Sequence, residues 1–439
     1  MRHNKEEFMR TMKRVAAVAL SVVVLMTSGV SAKAAVTDVQ PAKSSSEAVL
    51  KWAKKVGEPF DEKTYANNTV SKIKLVGNYL YVADDAKHRI MKIDKKDGTI
   101  LKEQKYCDES YIQGYVSSIG YGDGKVYVGY DNGRVQAFDE NTLESLWITD
   151  ENKNAINSDF VFTNGKLYFG TTAKTTDWYD NGAPFSYYVV TTSDDDKTKP
   201  DEEKTMKKVV ESKTGKFYLK KGVVLGKYIV ISDTAGTLTM IDTTNDKVTD
   251  TKDIGEAFSG NITYDEMTGT IYFVAGTNDL YGIKVSADGK LKDEKKVRLY
   301  ETGYSSTTPE VYNGKVYVSG SKGKAFQDKG YMAVADVSSD KYKVNYTVEL
   351  SNYSQCEPTI VKTGENSVRV YFTINDEPGG IYAIEDSKDA TSATLETVYE
   401  PTGDIKNTGC MSDVVVDEDG TIYFANDSCL LYTSDAADD

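Results

Sequence analysis

Short stretches of alternating apolar and polar residues, separated by turn-forming residues, recur along almost the whole chain. The clearest copy, residues 124–139, reads GKVYVGYDNGRVQAFD. Its alternation predicts two half-buried β-strands. The triplet DNG at 131–133 predicts a hairpin turn between them, because Asn and Gly tolerate positive φ. The pattern favours short paired strands and excludes helical repeats of similar length.

The same order of glycine, strand and hairpin occurs eight times. The copies start at Gly77, Gly124, Gly165, Gly226, Gly269, Gly314, Asn366 and Gly420. A period of about 40–50 residues with several short strands per unit is typical of β-propeller blades. The sequence therefore predicts an all-β protein, a β-propeller of about eight four-stranded blades. Seven blades is the alternative, if the looser unit at 366–385 is not a blade.

The two ends of the repeat region predict how the ring closes. Residues 48–56, AVLKWAKKV, resemble the end of a unit without a matching beginning. An open ring would leave sheet edges exposed, so we predict that this segment is the outer strand of the last blade. The third unit carries an insertion, residues 171–225, whose acidic stretch at 194–203 is typical of a solvated loop.

The N-terminus has the order of a secretory signal. Lys13 and Arg14 precede an apolar run at 15–26, and small residues follow up to Ala34. The run is shorter than the roughly 20 residues that span a bilayer, so residues 1–34 are predicted to be a signal peptide. Residues 35–45 are then a linker and 46–428 the propeller. We expect an extracellular or surface-associated protein with no transmembrane segment in its mature chain.

The last residues differ in character from the repeats. Residues 429–439, CLLYTSDAADD, resemble the translation of a sequencing-library adapter. We interpret them as a non-native tail, with an ordinary polar tail as the alternative. On this interpretation the last blade is incomplete.

Charge and composition exclude several classes of function. The formal net charge is −14 and the pI is near 4.9, which disfavours nucleic-acid binding. There are two histidines and four widely spaced cysteines, so no zinc or haem pattern is present. No nucleophile elbow, P-loop or zinc-protease motif occurs. The sequence thus predicts no catalytic residues, no cofactor and no metal site, and we expect a monomer.

The phrase GKVYVGYDNGRVQAFDENTLESLW at 124–147 and its copies resemble the PQQ-like (pyrroloquinoline-quinone-type) β-propeller repeat proteins, in particular secreted members from Gram-positive gut bacteria. The resemblance covers about residues 46–428 and implies the fold. In cofactor-using members it implies an adjacent cysteine pair, a calcium site and a tryptophan stacked on the quinone. This chain has no adjacent cysteines, and its tryptophans are Trp52, Trp147 and Trp178. The resemblance therefore does not imply a cofactor here.

Residues just before each first strand are expected to approach the mouth of the central channel. They are small and polar, and they include Ser117, Ser118, Asn157, Ser158, Ser259, Asn261, Ser305, Thr307, Gln355, Cys356, Gly409 and Cys410. Cys356 and Cys410 occupy equivalent repeat positions, which suggests a disulfide between neighbouring blades, provided that their Cα atoms lie within roughly 7 Å.

The insertion contains an aromatic cluster that could meet a glycan or a protein partner. It consists of Trp178, Tyr179, Phe185, Tyr187 and Tyr188. Together these features favour a secreted or cell-surface, non-catalytic binding scaffold for a protein, glycan or small-molecule partner. One alternative is an assembly-factor-like propeller that pairs with partner strands. A second is a quinoprotein-type or other propeller enzyme, which a cluster of carboxylates or basic residues at the channel mouth would favour.

Overall fold

The computed structural model describes residues 37, 39–57, 72–84, 87–106, 119–174, 183–193, 202–323, 329–403, 409–426 and 430–436. Their strands form eight sheets that are mainly antiparallel. Each sheet is one blade of a β-propeller, and from blade 2 to blade 8 the first strands of successive blades contact one another around the centre. The predicted all-β fold with eight blades is confirmed, and the seven-blade alternative is wrong.

The strands are numbered here in chain order. They are β1 (Ala48–Lys55); in blade 1, β2 (Lys74–Val76), β3 (Tyr79–Asp84), β4 (Arg89–Asp94) and β5 (Ile100–Lys105); in blade 2, β6 (Gly120–Gly122), β7 (Lys125–Gly129), β8 (Val135–Asp139) and β9 (Ser145–Thr149); in the blade 3 region, β10 (Ala155–Ile156), β11 (Val161–Thr163), β12 (Lys166–Thr172), β13 (Phe185–Thr191), β14 (Glu202–Lys204) and β15 (Lys207–Ser212); and in blade 4, β16 (Val223–Leu225), β17 (Tyr228–Ser232), β18 (Thr237–Asp242) and β19 (Lys247–Asp253).

The second half of the ring follows the same order. It consists of, in blade 5, β20 (Phe258–Asp265), β21 (Thr270–Ala275), β22 (Asp279–Val285) and β23 (Leu291–Arg298); in blade 6, β24 (Glu310–Tyr312), β25 (Lys315–Ser321), β26 (Gly330–Asp336) and β27 (Lys343–Leu350); in blade 7, β28 (Thr359–Lys362), β29 (Ser367–Thr373), β30 (Ile381–Ser387) and β31 (Leu395–Tyr399); and in blade 8, β32 (Val415–Val416), β33 (Ile422–Ala425) and β34 (Leu430–Ala436).

A recurrent tyrosine in the second strand of most blades has a buried ring. In blades 1, 3, 6 and 8 its hydroxyl donates to a group of another blade, whereas Tyr127 donates to the Gly122 carbonyl within blade 2. Tyr81 donates to the carbonyl of Glu140 at 2.6 Å, and Tyr168 donates to Asp246 Oδ1 at 2.7 Å. A buried phenol needs such a partner. The tyrosine of the repeated GKVY phrase therefore belongs to the interblade core.

The hydrophobic core lies between the blades. One cluster joins Tyr81 and Ile90 of blade 1 to Val126 and Phe138 of blade 2. Another joins Met332 of blade 6 to residues of blade 7. Because both faces of each sheet are covered, the strands hold runs of buried residues, as Lys125–Gly129 does.

The ring closes through the first strand of the chain. In blade 8 the order is β32-β33-β34-β1, and β1 runs antiparallel to β34. Trp52 of β1 donates through Nε1 to the carbonyl of Lys95 in blade 1 at 3.1 Å. In the structure β34 pairs with β33 as the third strand of this blade, and its Leu431 is fully buried. The interpretation of residues 429–439 as a non-native tail stays a prediction.

The insertion in the third unit adds a strand to its neighbour. β14 pairs in parallel with β9, with Glu202 opposite Trp147, at the outer edge of blade 2. Nothing helical in the described part of the chain is long and apolar enough to cross a membrane. The predicted signal peptide at 1–34 lies outside the described residues.

Candidate ligand site in the central channel

Charged side chains enter the central channel at one repeated position. The recurrent tyrosine fixes the register, because it lies opposite Lys74, Val161, Thr359 or Val415 of the inner strands. Two residues before each of these positions stands an ionisable residue, and the same holds for Lys221 before β16. We call these five residues the channel ring: Lys72, Asp159, Lys221, Glu357 and Asp413.

The channel ring lines a cavity of about 370 Å³. Lys74 and Glu310 line it as well, two positions further along their inner strands in the shared register. This volume falls at the lower end of the range of roughly 300–1,000 Å³ that is typical of small-ligand sites. The cavity therefore combines ligand-like size with seven Lys, Asp and Glu side chains from six blades.

On one side of the cavity, Asp413 holds two neighbours. Its Oδ1 accepts the backbone N–H of Glu357 at 2.7 Å, and its Oδ2 pairs with Lys72 Nζ at 2.9 Å. Burial alone would lower the pKa of Lys72, but Asp413, Asp159 and Glu357 together raise it above its usual value. Lys72 therefore stays protonated, and blades 7, 8 and 1 are fastened around Asp413.

A second ion pair crosses the channel. Lys221 Nζ of blade 4 donates to Glu357 Oε1 of blade 7 at 3.1 Å, and the two side chains are 37% and 18% exposed. The backbone N–H of Lys221 is held separately by Asn261 Oδ1 at 2.9 Å. Glu357, more than burial, determines the pKa of Lys221 and raises it. The pair is thus ionised while water still reaches its lysine.

The pKa values of two carboxyl groups in the cavity are shifted in opposite directions. Burial and the charge of Glu357 raise the pKa of Glu310 well above 4.5, although Lys221 opposes this. Burial would also raise the pKa of Glu357, but Lys221 and Lys72 hold it below its usual value. The two side chains are hydrogen-bonded to each other. Glu310 therefore keeps its proton to higher pH than Glu357 does, and in its protonated form it can donate to the Glu357 carboxylate.

The pKa values of two further groups in the cavity, Asp159 and Lys74, are also shifted. Burial raises the pKa of Asp159 even though Lys72 and Lys221 attract its charge. Burial, and then the charge of Lys221, lower the pKa of Lys74. Neutral forms are therefore more accessible here than on an exposed surface.

Aromatic rings form the wall between blades 2 and 3. Phe160 and Phe162 line the cavity next to the inner strand of blade 2. That strand carries Gly120 and Gly122, and a Cβ atom added at Gly122 would lie 2.2 Å from Phe162 Cγ. The missing side chains let the rings lie against the backbone and give the cavity an apolar wall.

Lys220, next to Lys221 in the chain, is a buried lysine that positions the channel ring. Its ammonium donates to the carbonyls of Phe258 at 3.1 Å and Gly260 at 2.6 Å. Burial lowers the pKa of Lys220 to about 7. This buried side chain ties the segment that carries Lys221 to blade 5, which fixes where the cross-channel pair begins.

Several polar residues predicted to reach the channel mouth instead fasten the inner strands. Ser158 Oγ accepts the N–H of Gly170 at 2.7 Å, Ser259 Oγ donates to the Ser305 carbonyl at 2.6 Å, and Ser305 Oγ donates to the Ser319 carbonyl at 2.7 Å. Ser117 and Ser118 lie outside the described residues. In blades 3, 7 and 8 the charged residue follows the predicted position by one to three residues.

The predicted disulfide is not present in the structure. Cys356 and Cys410 are buried free thiols. Cys356 Sγ accepts the N–H of Thr373 at 3.1 Å, and Cys410 Sγ donates to the Ala425 carbonyl at 3.2 Å. Each thiol is thus engaged by the second strand of its own blade, which corrects the expected bridge.

The predicted aromatic patch is also corrected in part. Phe185 and Tyr187 are buried in β13, a regular strand of blade 3. Tyr188 is half-buried, and its hydroxyl accepts from Asn152 Nδ2 at 2.7 Å. Trp178 and Tyr179 lie outside the described residues. At least Phe185 and Tyr187 belong to the core rather than to an exposed surface.

The described side chains do not fit a calcium-bound quinone. Trp147 is buried in β9 under Lys204, whose Nζ lies 4.9 Å from its ring centroid, and Trp52 lies on the outermost strand of blade 8. Both are far along their blades from the inner strands. Within the described ranges, no three His, Cys, Asp or Glu residues are grouped so as to hold a metal ion.

Comparison with known proteins identifies the fold alone. No protein-family profile matches the chain, and no curated protein matches it significantly. The structure is similar to BamB from Moraxella catarrhalis (TM-score 0.60, 13% identity, 88% of this chain and 99% of that one). It is also similar to quinohemoprotein alcohol dehydrogenases from Comamonas testosteroni (0.64, 11%, 91% and 78%) and Pseudomonas putida (0.62, 12%, 91% and 78%). These are PQQ-like β-propellers, and they include both an enzyme class and a protein not named as an enzyme.

Proposed function

We propose that this protein is an exported, non-catalytic binding propeller that takes a small polar ligand in the channel cavity. The convergence of the channel ring on a ligand-sized cavity carries the proposal. Bringing ionised groups together at the centre of a fold costs desolvation free energy, and such pairs contribute little net stability. Convergent polar groups in a concave site are instead what ligand recognition requires. Export rests on the signal-like order of residues 1–34.

A thermal-shift panel tests this proposal. The full chain would be mixed with separate sets of amino acids, short peptides, sugars, nucleotides and organic acids. We expect at least one set to raise the melting temperature, because a ligand that binds only the folded state stabilises it. The increase should be lost in Lys221→Gln and Glu357→Gln. Glu349→Gln, in an exposed ion pair with Lys329, should behave as the unaltered chain. A panel with no variant-sensitive increase would overturn the proposal.

The opposed pKa values of Glu310 and Glu357 favour a second candidate, general acid–base catalysis on the bound ligand. A neutral acid beside an ionised carboxylate is the arrangement that lets one site both donate and accept a proton. Any compound that raises the melting temperature in the thermal-shift panel would be incubated with the full chain and followed by NMR. Turnover that Glu310→Gln abolishes while binding is retained would establish the enzyme. An unchanged compound would leave the binding function alone.

A further inference from the structure

The signs of the charges in the cavity are nearly balanced. Lysines enter from blades 1 and 4, and carboxyl groups enter from blade 3 and from the consecutive blades 6, 7 and 8. Three lysines thus face four carboxyl groups, and the pKa of one of these, Glu310, is raised. A ligand of one sign would meet both repulsion and attraction, whereas a ligand with both signs can face an opposite charge at each end.

The ion pairs differ in how firmly they are held. Asp413 accepts hydrogen bonds through both oxygens, one of them from the backbone of blade 7. By contrast, Glu357 Oε1 is the one acceptor that the described residues provide for Lys221 Nζ. A partly exposed pair of this kind contributes at most about 1 kcal/mol. The cross-channel pair is therefore the contact that a ligand can open at least cost.

We propose, on the basis of the proposed function, that the cavity binds a zwitterion, an amino acid or short peptide, which inserts between Lys221 and Glu357. The ligand carboxylate accepts from Lys221, and the ligand ammonium donates to Glu357. One cross-channel ion pair is replaced by two intermolecular pairs, so neither Lys221 nor Glu357 is left without a partner. Phe160 and Phe162 then offer an apolar wall to the ligand side chain.

Calorimetry with three matched probes tests the inference. Glycylphenylalanine carries both charges, its N-acetyl form carries only the carboxylate, and its C-terminal amide carries only the ammonium. We expect the full chain to bind the free dipeptide about tenfold more tightly than either blocked form, equivalent to about 1.4 kcal/mol. Lys221→Gln should lose the preference for free peptide over amide. Glu357→Gln should lose the preference for free over acetylated peptide, and Glu349→Gln should keep both preferences.

Each failure points to a different conclusion. Equal binding of all three probes, equal losses for all probes in both variants, or no binding of the free dipeptide would overturn the zwitterion. If sugars or nucleotides nevertheless gave a variant-sensitive thermal shift, the binding function would stand with another ligand class. Lys221→Met gives the same readout if the Gln variant folds poorly.

Discussion

Lys221 and Glu357 meet across the central channel, with 3.1 Å between Nζ and Oε1, although they are 136 residues apart in sequence and three blades apart in the ring. Only closure of the ring brings these segments together, since the described strands of the two blades belong to separate sheets. The pair therefore reports on the channel rather than on the stability of one blade.

A double-mutant cycle should show that this pair contributes little to stability. We expect a coupling free energy of at most about 1 kcal/mol for Lys221→Gln with Glu357→Gln, because water screens a pair whose lysine is 37% exposed. Urea unfolding at neutral pH would measure it. A coupling of about 3 kcal/mol or more would identify the pair as a structural strut and argue against its exchange for a ligand.

The pH dependence of stability should reveal the raised pKa of Glu310. Its pKa is raised in the folded chain above the usual 4.5, so the folded state keeps a proton that the unfolded state has released. In that window the unfolded state binds fewer protons, and the free energy of unfolding must fall as pH rises. Glu310→Gln cannot titrate, and its amide can still donate to Glu357.

We therefore expect Glu310→Gln to lose part of the decline in unfolding free energy above pH 4.5, as measured by urea unfolding at successive pH values. Glu357→Gln should instead change the pH dependence of the unfolding free energy at pH values below 4.5. The lowered pKa of Glu357 contributes stability that is present above 4.5 and lost as pH falls towards its folded-state value. Parallel curves for Glu310→Gln and the unaltered chain would show that Glu310 is ionised like an ordinary glutamate.

The fold was accessible from the sequence because each blade repeats strong local signals. The glycine before the second strand has positive φ at Gly124 and Gly165, as its turn requires. The alternation in Lys125–Gly129 and its copies then predicts the buried middle strands. The closing strand β1 was predicted for a different reason, since a ring needs a partner for its last edge.

The channel ring was not predicted, because its signal is weak. Inner strands such as Gly120–Gly122 have three residues, too few to show a period of two. Their starting points cannot be fixed from alternation, so the predicted mouth positions were early by one to three residues. Counting back from the tyrosine register would have found Lys72, Asp159 and Glu357. Phe185 and Tyr187 were misassigned because the long insertion obscured the regular strand that contains them.

Mutation of a buried ionic cluster between blades 6 and 7 should lower the free energy of unfolding far more than mutation of the channel pair does. Asp386 accepts from Lys315 Nζ at 3.1 and 3.0 Å and from Tyr317 at 2.7 Å, and it is almost fully buried. Asp386→Ala leaves the Lys315 charge buried without its counter-ion, and we expect a loss of about 3–5 kcal/mol. Urea unfolding measures it, and Glu349→Gln serves as the exposed control. Equal midpoints for the two variants would contradict the assignment of this cluster as a structural ion pair.

Thiol labelling should confirm that Cys356 and Cys410 are free thiols with no disulfide between them. Iodoacetamide without reductant should leave both unlabelled in the folded chain, since both are fully buried, and should label both in denaturant. Burial also raises the pKa of the Cys356 thiol, which slows its reaction further. Peptide mass spectrometry identifies the adducts. A disulfide-linked peptide pair would restore the bridge expected from the repeat.

The aromatic wall formed by Phe160 and Phe162 can be displaced by a mutation that changes no charged residue. In Gly122→Ala the new methyl group would lie 2.2 Å from Phe162 Cγ, so the ring must shift away from the strand. We expect a loss of about 1–3 kcal/mol in stability from this overpacking. The thermal shift given by any ligand of the cavity should also shrink, because the displaced ring changes the wall. Melting temperatures with and without ligand provide both numbers.

Gly364→Ala is the matched control for this variant. There the added Cβ would meet the hydroxyl of Ser367 at 2.6 Å, the end of a side chain that can rotate away, and the site lies outside the cavity. We expect a smaller loss of stability and an unchanged ligand response. If Gly122→Ala kept the full ligand response, Phe162 would not contact the ligand, and recognition would rest on the charged residues of the channel alone.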